Sequence, residues 1–213
     1  MKATVVYDNC TSKSGLKTGW GFSCLIEAEG EPPLLFDTGA DGTTLLYNMG
    51  QLNIDPEGIG VIVLSHAHGD HTGGFPEVLE KNGHPEIYVP ASVMVRLPGR
   101  KVISVSQPAW ITKTVFSTGE LKGTEQSLAV ETDMGVLVIT GCSHPGVGVI
   151  LDVASRQGKV YGILGGLHGF RDFGRLRGLS LICPCHCTQY KSKLKELFPE
   201  QYLACGAGLE LEL

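Results

Sequence analysis

Five apolar runs in this sequence each end in a short polar cluster that contains an aspartate or a histidine. The clusters lie at 36–39 (F-D-T-G), 64–66 (L-S-H), 140–144 (T-G-C-S-H), 164–168 (L-G-G-L-H) and 185–188 (C-H-C-T). Loops that follow strands are where a rigid sheet most often presents catalytic groups. If the strands lie side by side, the clusters converge. The sequence therefore predicts a sheet with one chemically active edge.

The rest of the pattern predicts strands joined by turns, with a few helices. The continuous apolar run at 60–64 is typical of a strand buried on both faces. Predicted strands cover 20–28, 33–37, 60–64, 86–89, 127–132, 135–140, 159–164, 180–183 and 209–213, with further strands within 101–116; predicted helices cover 42–50, 74–82, 146–156 and 188–197. No linker divides the chain, so we expect one α/β (α+β) domain over 1–213.

Composition and charge argue against several classes of protein. The net charge of −5 gives no general electrostatic reason to expect a nucleic-acid partner. There is neither an apolar stretch of 18 residues nor a signal peptide, so we expect no membrane span and no export. The seven cysteines are an odd number, which argues against a complete disulfide framework. A cytoplasmic protein is expected.

The histidines are concentrated at the predicted strand ends. Of the seven, only His84 lies away from them, in a turn before Pro85, and we expect it to be a structural or surface residue. The segment from His66 to His71 holds three histidines and one aspartate in six residues. Histidine is the commonest metal ligand, and carboxylate oxygen complements it. This segment predicts a metal site.

The spacing within that segment has a physical meaning. His66 and His68, two residues apart beyond a strand, can project from one side of an extended segment. Gly69 lets the chain turn sharply, so that Asp70 and His71 can face a neighbouring point. Such a segment could supply two ligands to each of two adjacent metals. The natural completions, each at its own strand end, are His144 and His186.

These motifs resemble those of a known family. The segment His66-Ala67-His68-Gly69-Asp70-His71 is similar to the H-x-H-x-D-H signature of the metallo-β-lactamase superfamily. Within it, the sequence resembles the dihydropterin–ribofuranosylaminobenzene 5′-phosphate synthase-like group of metal-dependent hydrolases. That group's motifs D-H-T-G-G, G-C-S-H-P-G, G-G-x-H and H-C-T stand here at 70–74, 141–146, 165–168 and 186–188.

The resemblance implies an αββα four-layer sandwich with a dinuclear site at one edge. His66, His68 and His144 would hold the first metal, and Asp70, His71 and His186 the second. Asp37 would orient a ligand histidine or its loop. His168 stands where most of the superfamily has a bridging acidic residue, and three roles are open to it: metal ligand, substrate contact or proton donor.

Such a site predicts a hydrolase. Two divalent ions lower the pKa of a shared water and so supply a metal-bound hydroxide near neutral pH. Asp70 would orient this nucleophile, and His168 is a candidate general acid. Zinc is the first choice of ion, with manganese or iron as alternatives. The expected substrate is a small, anionic ester or phosphoester. The oligomeric state is left open.

Two other functions compete with this prediction. A phosphodiesterase or nuclease of the same superfamily would need a basic exosite, which the acidic composition does not indicate. A non-catalytic metal-binding sensor or interaction module would keep the ligands without turnover. Basic residues at Arg171, Arg175 and Arg177 could form either an anion clamp or a solvated face. The glycines at 146–148 and 165–166 could cradle a phosphate or let the backbone pass close to the metals.

The cysteines near the last cluster offer a rival interpretation. Cys183, Cys185 and Cys187 could form a zinc knuckle or redox element, but they alternate with His186 along a predicted strand and should point away from it. We therefore expect buried thiols on the core face, and the same for Cys142 and Cys205.

Overall fold

The chain forms two β-sheets packed face to face. A computed structural model describes residues 1–213. The first sheet has seven strands in the order β13-β1-β2-β3-β4-β5-β6. Their bounds are Lys2–Tyr7 (β1), Ser23–Glu27 (β2), Leu34–Phe36 (β3), Val61–Val63 (β4), Glu86–Pro90 (β5), Val102–Val105 (β6) and Glu210–Glu212 (β13). Neighbouring strands from β3 to β6 run parallel, and β1, β2 and β13 pair antiparallel.

The second sheet has six strands in the order β12-β11-β10-β9-β8-β7. Their bounds are Ala109–Trp110 (β7), Val115–Ser117 (β8), Leu128–Thr132 (β9), Gly135–Thr140 (β10), Val160–Gly166 (β11) and Leu181–Cys185 (β12). The predicted strands 127–132 and 135–140 form the antiparallel pair β9–β10. Because β10, β11 and β12 run parallel, their carboxyl ends meet at one edge.

Helices cover the outer face of each sheet. Against the first lie α1 (Gly42–Gln51) and α3 (Phe75–Lys81), and against the second lie α4 (Val147–Ala154) and α5 (Lys191–Leu197). One short helix, α2 (Gly69–Thr72), instead carries Asp70 and His71. The four layers are therefore the predicted αββα sandwich. None of its helices is long and apolar enough to cross a membrane.

Strand β4 shows how the sequence builds these layers. Val61 and Val63 pack in the core between the two sheets, whereas Ile62 packs on the helix side with Leu45 and Val78. Side chains alternate across a strand, so a fully apolar run fits only where both faces are covered. The prediction of a strand buried on both faces at 60–64 is therefore confirmed.

The predicted elements differ from the observed ones mainly at their ends. Helix α5 begins at Lys191 rather than 188, because residues 186–190 turn away from β12 first. Strand β11 continues to Gly166, two residues beyond its predicted end. The region 101–116 contains β6, β7 and the start of β8.

Candidate functional site

The predicted clusters meet at one edge of the sandwich. They follow the carboxyl ends of β3 and β4 in one sheet and of β10, β11 and β12 in the other. Four residues there that are not glycine have left-handed backbone conformations: Asp37 (φ 58°), Ser143 (φ 62°), His168 (φ 46°) and His186 (φ 45°). The chain therefore turns sharply where four of these five strands end, β4 being the exception, and polar side chains from both sheets converge.

The first set of converging residues comprises His66, His68 and His144. Their possible ligand atoms all lie within 4.8 Å of one another. The ring centroid of His66 is 4.5 Å from that of His68 and 4.7 Å from that of His144. His66 is buried, whereas His68 and His144 face solvent.

Hydrogen bonds fix the tautomer of His66. The Ser65 hydroxyl donates to Asp37 Oδ2 at 2.7 Å, so its oxygen accepts from His66 Nδ1–H at 2.9 Å. The lone pair of His66 is therefore on Nε2, a buried atom with no hydrogen-bond partner. Burial and the neighbouring His71 lower the pKa of His66 to about 3. His66 is thus a neutral imidazole with a free acceptor.

His144 is oriented by Glu125, a residue that the sequence interpretation missed. One oxygen of this buried carboxylate accepts from the backbone N–H groups of Cys142 (2.8 Å) and Ser143 (2.9 Å). The other accepts from the backbone N–H of His144 and lies 2.9 Å from its Nδ1. Burial alone would raise the pKa of Glu125, but the hydrogen bonds from the side chain and backbone of His144 and from the backbone of Cys142 lower this pKa to about 2. Glu125 is therefore ionised, and its oxygen accepts a hydrogen bond from His144 Nδ1–H. In neutral His144 the lone pair is then on Nε2.

The second set comprises Asp70, His71 and His186. Asp70 Oδ2 is 3.2 Å from His186 Nε2 and 4.0 Å from His71 Nε2. The two imidazole nitrogens are 3.2 Å apart. His71 and His186 are buried, and Asp70 is partly exposed.

Asp37 contacts both His71 of this set and the backbone of Ser65. Its Oδ2 lies 2.7 Å from His71 Nδ1, and its Oδ1 accepts the backbone N–H of Ser65 at 2.6 Å. Burial would lower the pKa of His71, but the Asp37 and Asp70 carboxylates raise it above its ordinary value. Asp37 thereby fixes one nitrogen of His71 and leaves Nε2 facing His186.

His186 is held by the residues that follow β1. Asp8 Oδ1 accepts its backbone N–H at 2.8 Å, and Asn9 donates to its carbonyl at 3.0 Å. Asn9 Oδ1 also lies 3.2 Å from His186 Nδ1. Burial and His71 lower the pKa of His186 to about 3. The sequence does indicate these two residues, because Asp8-Asn9 is another polar cluster at the end of an apolar strand.

Trp20 lies at the entrance to the second set. Its indole N–H donates to Asp70 Oδ2 at 3.0 Å, and its ring centroid is 5.1 Å from that of His186. The side chain is 61% exposed. Nothing in the local sequence pattern indicates this contact, since Trp20 and Asp70 are brought together only by the fold.

His168 lies beside the first set and belongs to neither. Its exposed ring is 5.3 Å from the ring of His144. With His144, it lines a cavity of about 430 Å³ whose apolar wall includes Val147, Leu167 and Phe170. His84 lies elsewhere, in an exposed turn next to β5.

The prediction of buried core thiols is correct for Cys183 and Cys185, wrong for Cys187, and correct for Cys142 in its burial only. Cys183 and Cys185 are buried in the core between the sheets. Cys187 does not share that face, because β12 ends at Cys185 and the left-handed turn at His186 breaks the alternation. Cys142 is buried but lies at the site, with Sγ 3.2 Å from His71 Nε2. Cys205 packs, partly buried, against the core.

Two of the three arginines make other contacts, and Arg177 is exposed. Arg175 pairs with Asp152 and donates to the Gly148 carbonyl at 3.0 Å. The Arg171 guanidinium lies over the ring of Tyr190, 4.9 Å from its centroid. At Gly166, a side chain would collide with the Gly141 carbonyl oxygen and with Cys187. Close backbone packing therefore accounts for this glycine.

Comparisons with known proteins agree with this geometry. The model of the metallo-beta-lactamase superfamily matches residues 21–178. A 7,8-dihydropterin-6-methyl-4-(beta-D-ribofuranosyl)-aminobenzene-5'-phosphate synthase of Methanocaldococcus jannaschii is 28% identical over 259 residues, covering 88% of each chain. That alignment is longer than the 213-residue chain, so the relative contains residues with no counterpart here.

Solved structures agree as well. Tm1679, a metal-dependent hydrolase of the beta-lactamase superfamily, matches with a TM-score of 0.74 and 25% identity, over 100% of this chain and 99% of that one. The short form of human tRNase Z shares the fold, with a TM-score of 0.66 and 15% identity over 100% of this chain and 99% of that one. The family match covers most of the chain, and the architecture and the His66–His71 segment agree with it: this chain belongs to the metallo-beta-lactamase superfamily.

Proposed function

We propose that this protein is a hydrolase that uses two divalent metal ions at the edge of the sandwich. His66, His68 and His144 would hold one ion, and Asp70, His71 and His186 the other. The observation that carries the proposal is the convergence of three possible ligand atoms in the second set: Asp70 Oδ2, His71 Nε2 and His186 Nε2. His71 Nδ1 and His186 Nδ1 are each engaged by an oxygen, so in the neutral form that binds a metal the two Nε2 lone pairs face each other at 3.2 Å. In that form two lone pairs and a carboxylate converge, and a metal cation between them would relieve their repulsion.

The distances fit a metal ion. Zinc binds imidazole nitrogen at about 2.0–2.1 Å, and two such ligands on a tetrahedral ion are then about 3.3 Å apart. The separations of 3.2 Å from His186 Nε2 to both His71 Nε2 and Asp70 Oδ2 match this value, and the third, from His71 Nε2 to Asp70 Oδ2, is longer at 4.0 Å. In the first set, the buried and unpartnered His66 Nε2 is an acceptor of the same kind. The donor set of imidazole and carboxylate favours zinc, with manganese and iron as the alternatives.

Four residues of the chain would have distinct roles in the proposed hydrolysis. Bound divalent ions supply an acidified water and polarise the bond to be cleaved. Asp70, held by the Trp20 indole, orients the attacking water. His168 stands at the open side of the first set, where it can donate a proton to the leaving group. Asp37 and Glu125 keep their histidines in the ligating tautomer.

The substrate we propose is a small anionic ester or phosphoester, with no nucleic acid as partner. The cavity beside His144 and His168 has room for such a molecule, at about 430 Å³, and offers an apolar wall as well as polar groups. The name of the Methanocaldococcus jannaschii relative includes a sugar 5'-phosphate, which supports a phosphorylated substrate class.

The test is an activity screen of the metal-replete protein. The panel contains a generic phosphodiester, a lactone, a thioester and phosphorylated pterin and ribose compounds, each assayed with zinc, manganese or iron. We expect hydrolysis of at least one member, lost on chelation and in His66→Ala, and retained in the control His84→Ala. If two ions bind but no panel member is turned over, a metal-binding sensor or interaction module is the better description. Unchanged metal content and activity in His66→Ala would refute the proposal.

A further inference from the structure

We infer that Cys142 is a further metal ligand, binding as a thiolate to the ion held by His71 and His186. The inference rests on the proposed function and goes beyond its six ligands. Cys142 Sγ lies 3.2 Å from His71 Nε2. It is also within 4.8 Å of a ligand atom of His66 and of His186. The sulfur therefore lies between the two sets, on the buried side of the site.

The separation suits two ligands of one ion. With zinc–nitrogen bonds of about 2.0–2.1 Å and zinc–sulfur bonds of about 2.3 Å, the nitrogen and sulfur of neighbouring ligands are about 3.2–3.6 Å apart. The 3.2 Å between His71 Nε2 and Cys142 Sγ falls in that range. The ordinary alternative is a thiol that fills a hydrophobic core. Cys142 is buried but belongs to none of the three hydrophobic clusters, unlike Cys183 and Cys185.

The backbone around Cys142 is fixed by the same group that fixes a predicted ligand. Glu125 accepts the N–H groups of Cys142, Ser143 and His144. The left-handed Ser143 between the two then turns the chain, so that Cys142 reaches His71 while His144 reaches His66. One buried carboxylate therefore holds both side chains toward the site.

Binding of the ion has a simple proton balance. The S–H bond of Cys142 breaks, its proton passes to solvent buffer, and the thiolate forms a bond to the ion, as metal binding to thiols generally requires. A thiolate is a softer ligand than carboxylate or imidazole. The consequence for the proposed function is a second site that prefers zinc or cobalt to manganese.

Cys187 provides a matched control. Its Sγ and the possible ligand atoms of Cys142 and His186 all lie within 4.8 Å of one another. The Cys187 side chain is only partly buried. Unlike Cys142, it has no described hydrogen bond to a histidine; its Sγ contacts the Cys142 carbonyl at 3.9 Å. Cys142→Ser and Cys187→Ser therefore remove two neighbouring thiols, of which we infer only one to be a ligand.

The experiment is the absorption spectrum of the full chain loaded with Co²⁺. We expect visible ligand-field bands from bound cobalt together with a near-ultraviolet thiolate-to-cobalt charge-transfer band. The charge-transfer band should disappear in Cys142→Ser and persist in Cys187→Ser. The Zn²⁺ affinity of the second site should fall at least about 10-fold in Cys142→Ser, since even partners outside the ligand shell are worth that much.

Two results would overturn the inference. One is a wild-type spectrum with ligand-field bands but no charge-transfer band, which leaves the dinuclear site intact and removes the sulfur ligand. The other is loss of the band in Cys187→Ser with retention in Cys142→Ser. A wild-type protein that binds no cobalt at all would instead refute the proposed function. The wild-type spectrum alone can refute the inference even if a serine variant fails to fold, and the two variants assign a band that is present to one of the two thiols.

Discussion

The two sets of ligands are built in different surroundings. In the second set, His71 and His186 are buried, and Asp37, Asp8 and Asn9 hold them from behind. In the first set, only His66 is buried, while His68 and His144 face solvent. Both sets use a buried carboxylate to fix a histidine, Asp37 in one sheet and Glu125 in the other. From this difference we expect the buried second set to retain its ion more tightly and the first set to be more accessible to solvent.

The largest expected effect comes from removing the carboxylate behind the buried set. Asp37→Ala would leave His71 Nδ1 and both the N–H and hydroxyl of Ser65 without an acceptor inside the protein. We expect the free energy of unfolding to fall by about 3 kcal/mol or more and the second ion to be lost. Denaturant unfolding and metal analysis measure the two effects.

The control for this variant is Asp41→Ala. Asp41 is exposed and caps α1 through the N–H of Thr44, so its loss should cost about 1 kcal/mol and leave the metal content unchanged. Equal behaviour of the two variants would contradict the view that Asp37 supports the second set.

A smaller effect is expected from the corresponding carboxylate of the open set. Glu125→Gln keeps the shape of the side chain but removes the charge that holds three backbone N–H groups and His144. We expect activity to fall by about 10–100-fold, with a modest loss of stability. Steady-state kinetics on the substrate found in the screen measures this. Glu131→Gln, at the other end of β9, is the control and should behave as wild type.

The order in which the ions leave tests the comparison directly. Because the second set is buried and more strongly oriented, we expect a chelator to remove metal in two phases, with affinities that differ by about 10-fold or more. His68→Ala should eliminate the phase of weaker affinity. If His68→Ala eliminates the tighter phase instead, the assignment of retention and access is reversed. The measurement is competition with a chromophoric chelator.

The smallest effect is expected at the entrance. Trp20→Phe keeps an aromatic ring next to His186 but removes the hydrogen bond to Asp70. Since the pair is partly exposed, we expect a few-fold loss of activity, corresponding to about 1 kcal/mol. Metal content should not change. A loss of metal equal to that of Asp37→Ala would show that Trp20 belongs to the retaining side.

The sequence was most informative where strands end. Asp37, His66, His144 and His186 were identified because each follows an apolar run, and a sheet brings such positions to one edge. Glu125 was missed, since it lies in a loop before β9 and acquires its role only through contacts with residues 142–144. Asp8 and Asn9 obey the same rule as the predicted residues, so a stricter application would have found them.

The cysteines show where such reasoning stops. Alternation along a strand correctly predicted the core positions of Cys183 and Cys185 but was extended to Cys187, two residues beyond the end of β12. The left-handed conformation at His186 ends the alternation. A histidine does not indicate this conformation, as a glycine would. The same holds at Ser143, which turns Cys142 toward His71 instead of the core. Backbone conformation at single residues is set by tertiary contacts that a linear pattern does not contain.

The left-handed residues at the strand ends have a consequence for how this protein can change. Each such conformation costs a residue with a Cβ atom on the order of 1 kcal/mol or more, a cost that glycine avoids. At Asp37 and His186 the side chain is part of the proposed site, so the strained backbone that orients it lowers the stability of the fold. Glycine at Ser143 would relieve the backbone, yet it would remove the hydroxyl that donates to the Gly166 carbonyl at 2.7 Å. Mutations selected for stability alone would therefore tend to erode the site, and compensating stability has to come from the helices and the core.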